Sequence, residues 1–326
     1  MIYTVTLNPS LDYVVRVSDF EPGNLHRTTE EEIYVGGKGL NVTVVLKRLG
    51  VESLSLGFVA GFTGREIEHR LKRMGIAADF VTASQGRSRI NIKLKSNQAP
   101  ETEINGQGPV IGSHEMELLY QKLGRLNDGD ILVMSGSVPR QTKSSRHSDE
   151  DNQYTNRDDT YAELCGRVAG KGLRLVIDAE GKLLRNALKY KPFLIKPNHL
   201  ELGRLFGRKL TDEESIIECA GQLQQEGAQN VLVSMAEKGA ILLDSEGRIT
   251  RQRAPQGRVV NSVGAGDALV AGFLYGLLLD KKEQGEEYSL EDYQRALRFS
   301  VACGSAAAFT EGYPAKEQVE ELYRSL

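Results

Sequence analysis

Short, unbroken apolar runs recur along the chain between polar or glycine-rich stretches. They lie at 2–7, 54–59, 131–134, 173–177, 193–195 and 231–233. Unbroken runs of valine, isoleucine and leucine of this length are typical of strands buried on both faces, as in a parallel sheet covered by helices. The pattern therefore predicts a buried, mostly parallel sheet.

Helical periodicity fills the intervals between these runs. Apolar positions three or four residues apart include Ile67, Leu71, Met74, Met116, Leu119, Leu123, Ala220 and Leu223. Strands that alternate with helices in this way predict a doubly wound α/β fold, with one domain spanning residues 1–326. Ligands of such folds bind beyond the carboxyl ends of the strands.

One segment alternates strictly between apolar and polar residues. At 88–95, Ile90, Ile92 and Leu94 fall on one face, which predicts a half-exposed antiparallel strand. Segments 13–17, 30–35 and 101–104 could pair with it. We expect a small lid sheet drawn from about 13–35 and 86–106, standing off the main sheet.

The stretch 140–159 is almost wholly polar and has Tyr154 as its one aromatic residue. It offers too little apolar surface to offset the entropy of ordering, so we expect a flexible surface insertion.

Composition narrows the class of protein. The 326 residues carry a net charge of −3, which gives no global reason to expect nucleic acid or a membrane surface as partner. Cys165, Cys219 and Cys303 share no CxxC spacing, and an odd count argues against a disulfide framework. The start of the chain lacks the basic region of a signal peptide, and no apolar run is long enough to span a bilayer. We expect a soluble, cytoplasmic protein.

Two glycine-rich stretches precede predicted helices. The first, Asn-Ser-Val-Gly-Ala-Gly-Asp at 261–267, runs into an apolar helix at 268–279. First-turn N–H groups suit a phosphate or a developing anion, and Asp267 beside them could accept a proton from an attacking hydroxyl. Asp267 could equally be a helix-start acid that the dipole favours.

The second stretch is Gly-Gly-Lys-Gly-Leu-Asn at 36–41, before a helix that should end near Gly50. Its glycines would let backbone approach a ligand, or would only form a tight turn. It is no Walker A motif, because Gly39 follows Lys38 where serine or threonine is needed. The protein-kinase motifs are absent as well.

These motifs combine in an order that resembles the pfkB branch of the ribokinase-like carbohydrate kinases, over essentially the whole chain. The matching motifs are Asn-Pro-Ser-Leu-Asp at 8–12, Gly-Gly-Lys-Gly-Leu-Asn-Val at 36–42, Ser-Gly-Ser-Val-Pro at 135–139, Lys-Pro-Asn-His-Leu-Glu at 196–201 and Val-Gly-Ala-Gly-Asp at 263–267. The resemblance implies a ribokinase-like fold, and a lid that builds a homodimer in many members.

Segments 89–95 and 101–109 sharpen the implied reaction. The resemblance implies phosphorylation of D-fructose 1-phosphate by MgATP at the 6-hydroxyl, giving D-fructose 1,6-bisphosphate and ADP. Tagatose 6-phosphate, or hexose phosphates in general, are the alternative substrates. A sugar-phosphate sensor without turnover is the alternative of a different class.

The resemblance also implies residue roles. Asp267 is the base, and the N–H groups of Gly264, Ala265 and Gly266 stabilise charge on the phosphoryl group. Substrate contacts are implied for Asp12, Arg27, Gly37, Lys38, Asn41, Arg89 and Ser137. Nucleotide contacts are implied for Lys196, Asn198, Ser234, Ala236, Gly239 and Gly266, and Asn198 and Glu201 are implied to help hold Mg²⁺, often through water.

Two positions depart from the family pattern. Ala236 stands where a glycine is common, and if the loop needs positive φ there, alanine costs about 1 kcal/mol. Glu180 stands where a serine is common and adds a charge near the expected triphosphate.

Overall fold

A computed structural model describes residues 1–97, 101–141, 157–279 and 287–326, with no side-chain description for residues 141 and 157. Most of the polar stretch predicted as a flexible insertion lies outside the described residues. That prediction and the single-domain organisation stay predictions. No helix in the described part of the chain is long and apolar enough to cross a membrane.

The strands are β1 (Ile2–Thr6), β2 (Ser10–Val17), β3 (Glu30–Gly36), β4 (Ser53–Val59), β5 (Ala77–Ala78), β6 (Val81–Thr82), β7 (Arg89–Ser96), β8 (Thr102–Ile104), β9 (Val110–Ile111), β10 (Ile131–Ser135), β11 (Arg140–Gln141), β12 (Arg174–Asp178), β13 (Leu194–Ile195), β14 (Asn230–Ser234), β15 (Ala240–Leu243) and β16 (Ile249–Gln252). The α-helices are α1 (Lys38–Arg48), α2 (Gly61–Arg73), α3 (Ser113–Leu123), α4 (Thr160–Val168), α5 (Gly181–Arg185), α6 (His199–Leu205), α7 (Glu213–Gln225), α8 (Ala265–Leu278), α9 (Leu290–Phe309) and α10 (Lys316–Ser325).

The central sheet has the strand order β16-β15-β14-β13-β12-β10-β1-β4-β5, and β6 also pairs with β4. The pairs from β14 to β5 are parallel, whereas β15 and β16 add an antiparallel edge. Each apolar run of the sequence became one of the parallel strands.

Helices cover both faces of this sheet. On one face, Val5 and Leu132 pack with Leu119 of α3, and all three are fully buried. On the other face, Val133 packs with Phe273 of α8. Burial on both faces is the reason for unbroken rather than alternating apolar runs, and the doubly wound α/β fold is confirmed.

A second sheet, which we call the lid, has the strand order β3-β2-β7-β8. Strand β7 is antiparallel to β8 but parallel to β2, so the antiparallel prediction was correct for one neighbour only. The reason is topological. Both β2 and β7 leave the carboxyl edge of the central sheet, where Ser10 aligns with Arg89, and both therefore point the same way.

The alternation along β7 separates two faces of the lid. Asn91 and Lys93 are 5% and 7% exposed, although both are polar. Ile90 and Ile92 are 40% and 36% exposed, although both are apolar. The polar side of the lid therefore faces the protein, and its apolar side faces outward.

Candidate active site

A cavity of about 1280 Å³ lies between the carboxyl edge of the central sheet and the polar face of the lid. Thr6, Asp178 and Ser234 reach it from the ends of β1, β12 and β14. This is the edge where a doubly wound sheet binds ligands. The glycine-rich starts of α1 and α8 line the same cavity.

The start of α8 places Asp267 at the cavity wall. Gly264 adopts φ of 80° as the residue before the helix, a backbone conformation that favours glycine. Asp267 follows in the first turn and is 5% exposed. The N–H of Ala265 donates to the carbonyl of Ser262 at 3.3 Å. Gly264, Ala265 and Gly266 all line the cavity, and their role as anion donors stays a prediction.

The environment of Asp267 changes its acidity. Burial raises the pKa of its carboxyl to about 7, and the negative charge of Asp178 adds to the rise. Lys38, Lys196 and the hydrogen bond that Asn41 Nδ2 donates to Asp267 Oδ2 at 2.7 Å oppose it. A carboxyl that titrates near neutral pH suits a general base. The helix-start role and the proton-accepting role are compatible here.

The Gly-Gly-Lys-Gly turn brings α1 against β1. Gly37 has φ of 121°, and a Cβ on Gly39 would lie 2.9 Å from the carbonyl oxygen of Val5. The tight-turn interpretation is thus correct, and the same turn delivers Lys38 and Asn41 to the cavity.

Lys38 forms an ion pair inside the cavity. Its ammonium is 3.5 Å from Asp178 Oδ1, and the negative charge of Asp178 raises the Lys38 pKa. Lys196 lies at the same distance from the same oxygen and is 4% exposed. Lys38 also lines the cavity and feels the negative charge of Asp267, and its predicted substrate contact stays a prediction.

The absence of a side chain at Gly266 lets Lys196 come close to α8. A Cβ at that position would lie 3.3 Å from the Lys196 ammonium. Two cations and the helix start thus converge on one point of the cavity, an arrangement that suits a polyphosphate.

The predicted magnesium ligands form a helix cap. Asn198 Oδ1 accepts from the N–H groups of Leu200 and Glu201 at 3.0 and 2.8 Å, and Glu201 Oε2 accepts from the N–H of Asn198 at 2.8 Å. Both lone pairs of the Asn198 amide oxygen are therefore used, which argues against Asn198 as a direct magnesium ligand.

Asp178 is better suited than Asn198 to be a magnesium ligand. Both of its carboxylate oxygens are buried without a hydrogen bond from the described residues. Its charge also raises the pKa of Glu201, after the larger effect of burial. Within the described ranges, no group of three or more histidine, cysteine, aspartate or glutamate side chains is arranged so that it could hold a metal ion. Magnesium keeps several waters and needs few protein carboxylates, so Asp178 and Glu201 are a sufficient donor set.

The lid supplies the other wall of the cavity. Asp12 Oδ1 accepts from Ser10 Oγ at 2.6 Å and from Asn91 Nδ2 at 2.9 Å, and Asp12 Oδ2 lies 3.2 Å from Lys93 Nζ. The carboxylate is thereby fixed towards the cavity that it lines. Carboxylates held in this way accept hydrogen bonds from sugar hydroxyls.

Arg89 opens β7 at the hinge of the lid. Its Nε donates to the backbone carbonyl of Asn8 at 3.0 Å, which holds the guanidinium in the cavity wall. Burial lowers its pKa, so the charge lies in a poorly solvated place where an anion is bound more strongly.

Ser137 also lines the cavity. Arg27 is exposed in the loop after β2 and does not line the cavity of its own chain.

The predicted ATP loop follows β14. Ser234, Ala236 and Gly239 all line the cavity. Ala236 has φ of 51°, so this position does need the conformation that glycine adopts most easily. Glu180 forms an exposed ion pair with Arg204 at 3.5 Å.

Sequence reasoning missed several cavity residues. Asp178 ends a buried strand, and that position alone could have suggested it. Asn91 and Lys93 occupy the polar side of the alternating strand. The alternation predicts which residues share a face, but not that the polar face lines the cavity. Tyr313 does not line this cavity but bonds to Asn41, and the sequence gave no signal for it, since it lies in a loop far along the chain from every motif.

A doubly wound fold with a lid, and with a buried carboxylate and two lysines at a glycine-rich helix start, defines a phosphotransferase for small molecules. The sequence model of the pfkB family carbohydrate kinases matches residues 5–316, and the chain belongs to this family. Kinases of this family use ATP.

Individual relatives cover nearly the whole chain. The chain is 42% identical to a 1-phosphofructokinase of Bacillus subtilis, over 99% of this chain and 97% of the relative. It is 38% identical to a D-tagatose-1-phosphate kinase of Bacillus licheniformis, over 96% and 94%. The structure of phosphofructokinase-2 from Escherichia coli in complex with substrates and products superposes with a TM-score of 0.86 at 27% identity, over 100% and 99%.

Proposed function

We propose that this chain transfers the γ-phosphoryl group of ATP to the 6-hydroxyl of D-fructose 1-phosphate, giving D-fructose 1,6-bisphosphate and ADP. The observation that carries the transfer is the buried Asp267 carboxylate at the start of α8, beside Lys38 and Lys196. The choice of sugar is supported by the relatives named 1-phosphofructokinase.

Proton transfer belongs to Asp267. The carboxylate accepts the proton of the 6-hydroxyl while the sugar oxygen bonds to the γ-phosphorus. The bond from that phosphorus to the β,γ-bridging oxygen breaks, and ADP leaves. The N–H groups at the start of α8 and the two lysines stabilise the charge that spreads over the phosphoryl oxygens.

Substrate recognition divides between the lid and its hinge. Asp12, held by Asn91 and Lys93, accepts hydrogen bonds from sugar hydroxyls, and Arg89 binds the 1-phosphate with its free guanidinium nitrogens. The lid also excludes water from the cavity, which prevents phosphoryl transfer to water.

Asp178 and Glu201 would hold Mg²⁺, chiefly through water. Bound there, the ion would neutralise charge on the triphosphate. The loop from Ser234 to Gly239 would take the nucleotide, and Lys196 would reach its phosphates.

The names of the relatives favour one alternative substrate over the others. One of them is named a D-tagatose-1-phosphate kinase, which places the phosphate on the same carbon as in fructose 1-phosphate. Tagatose 1-phosphate is therefore the competing substrate that a similarity favours, and tagatose 6-phosphate remains a prediction from the motifs alone.

The test is a substrate panel with ADP release as the readout. We expect the highest kcat/KM for fructose 1-phosphate, followed by tagatose 1-phosphate, fructose 6-phosphate and tagatose 6-phosphate. A higher value for either tagatose phosphate would overturn the choice of sugar. Stabilisation by a sugar phosphate, with no ADP formed from any of the four, would favour the sensor and overturn the kinase.

We also propose a homodimer through the apolar face of the lid. Ile33, Ile90, Ile92 and Ile104 are 42%, 40%, 36% and 59% exposed, and the strand registers bring them together on one face. A contiguous exposed apolar patch on a sheet is typical of an interface.

A further inference from the structure

Tyr313 connects the proposed base to the lid. It lies between α9 and α10, and its hydroxyl oxygen is 2.9 Å from Asn41 Oδ1 and 2.9 Å from the carbonyl oxygen of Val35. Asn41 in turn donates from Nδ2 to Asp267 Oδ2 at 2.7 Å. Three segments that are distant in the sequence thus meet through one tyrosine hydroxyl.

The backbone holds this tyrosine in place. Gly312 has φ of 84°, which turns the chain after α9. Pro314 follows and disfavours a helical backbone at Tyr313. The ring packs against the buried residues of α1 and the lid hinge. The hydroxyl is therefore presented at a fixed point.

Counting protons shows what the hydroxyl can do. A tyrosine has one proton to donate, and both of its neighbours, the Asn41 amide oxygen and the Val35 carbonyl, are acceptors. When Asp267 is ionised, the NH₂ group of Asn41 must face the carboxylate. The amide oxygen then faces Tyr313, which donates to it.

Protonation of Asp267 reverses this order. The carboxylic O–H can donate to the Asn41 amide oxygen once the amide turns over. The NH₂ group then faces the Tyr313 oxygen, which accepts, and the tyrosine proton is free to go to the Val35 carbonyl. Every donor again has an acceptor, and Val35 is the penultimate residue of lid strand β3.

We propose that Tyr313 is a positioning residue that fixes the Asn41 amide towards ionised Asp267 and, after Asp267 takes the substrate proton, transfers its own hydrogen bond to the lid at Val35. The proposal rests on Asp267 being the base of the proposed function. The proton on Asp267 comes from the substrate hydroxyl, and no other reactant is required.

The surroundings contain other groups that a pH experiment must hold constant. The charged and titratable groups acting on Asp267 or Tyr313 are Asp12 on β2, Tyr34 on β3, Lys38 and Arg48 on α1, Asp178 on β12 and Lys196 after β13. A change from Tyr313 to phenylalanine leaves all of them in place, so a changed pH profile would report the hydroxyl.

The test is the pH dependence of kcat in Tyr313→Phe. We expect kcat at neutral pH to fall about tenfold and KM for both substrates to change by less than about twofold, a split that marks a loss confined to the transition state. We also expect the acid limb of the profile to move to higher pH, because Asn41 no longer holds its N–H on the carboxylate. Tyr293→Phe is the matched control, since it removes a partly buried hydroxyl bonded to Ser245, away from the cavity.

Further variants distinguish a failure of the Tyr313 relay from a failure of Asp267 as the base. Asn41→Ala removes the bond to Asp267 itself and must shift the acid limb in the same direction, even if Tyr313→Phe folds poorly. Adding Tyr313→Phe to Asn41→Ala should cause no further loss of kcat, because residues that act through one another are not additive. An unchanged acid limb in Tyr313→Phe, or in Asn41→Ala, overturns the relay. Retained turnover in Asp267→Asn would instead overturn the proposed base.

Discussion

Asp267 is protonated at a pH where an exposed aspartate is already ionised. Its pKa of about 7 in the folded protein exceeds the value of 3.8 for a free side chain, chiefly because of burial. Between these two values the folded state holds a proton that the unfolded state has lost. The contribution of Asp267 to stability therefore falls as the pH rises from about 4 to about 7, and stays at its lowest above pH 7.

Asp267→Asn should separate activity from stability. We expect kcat to fall by about 10²- to 10⁴-fold, the usual contribution of a general base. At pH 8 the variant should melt at a temperature roughly 2–6 °C above the unmodified protein, and the difference should vanish near pH 4. Calorimetry at both pH values checks this. A lower melting temperature at pH 8 would contradict the burial cost assigned to the carboxylate.

Ala236→Gly tests strain in the ATP loop. Glycine accommodates the φ of 51° at this position, so we expect about 0.5–1 kcal/mol of added stability and a lower KM for ATP. Lys191→Gly is the matched control, because Lys191 also has φ of 51° but does not line the cavity. It should gain stability and leave the KM unchanged. An equal fall in KM for both variants would mean that the loop effect is not local.

Residue types and motif order were enough to predict where most cavity residues lie. They could not show which polar atoms are already hydrogen-bonded. Asn198 is predicted from the motif to help hold Mg²⁺, but both lone pairs of its amide oxygen accept hydrogen bonds from its own helix. Nor could they pair Lys38 with Asp178, which is 140 residues away along the chain. Such pairings exist only once the carboxyl edge of the sheet has formed.

At the scale of elements, α8 and α9 pack through glycines. A Cβ on Gly276 would lie 2.6 Å from Ala296 Cα, and one on Gly272 would lie 2.5 Å from the carbonyl oxygen of Phe299. Glycine in a helix interior ordinarily lowers stability, so here close packing must outweigh helix propensity. The close approach positions the helix that carries Asp267.

Gly276→Ala should therefore destabilise the protein by about 1–3 kcal/mol, the usual cost of an overpacked contact, despite alanine's higher helix propensity. Gly221→Ala in α7 is the control, since no atom lies within 4 Å of its Cβ position. That change should instead add up to about 1 kcal/mol. Denaturant unfolding of both variants measures the two effects, and a stabilised Gly276→Ala would contradict the packing account.

Periodicity predicted the elements themselves well. The unbroken runs became parallel strands because helices cover both faces of the sheet. The strand direction of β7 was the exception: periodicity reports which face is buried, but not which neighbour a strand pairs with. The direction of β7 depends on the path of the chain through β4, α2 and β6, and a local sequence pattern does not specify that path.

At the scale of the whole molecule, the apolar face of the lid predicts assembly. We expect the protein to behave in solution as a dimer of 35.9 kDa chains. Ile92→Lys should shift it towards monomer, because a charge at the centre of an apolar interface is costly to bury. Ile249→Lys, at the exposed far edge of the central sheet, should not. Sedimentation at several concentrations distinguishes these outcomes, and a monomeric unmodified protein would contradict the proposed interface.

The parallel pairing of β2 with β7 has a consequence for how such enzymes diversify. Asp12, Asn91 and Lys93 are neighbours within one hydrogen-bonded unit, whereas Asp267, Lys196 and Asp178 belong to the central sheet and its helices. Selection can thus alter the groups proposed to bind the sugar without disturbing those proposed to transfer the phosphoryl group. Grafting the four lid strands between relatives should transplant a preference for one sugar while leaving the chemistry in place.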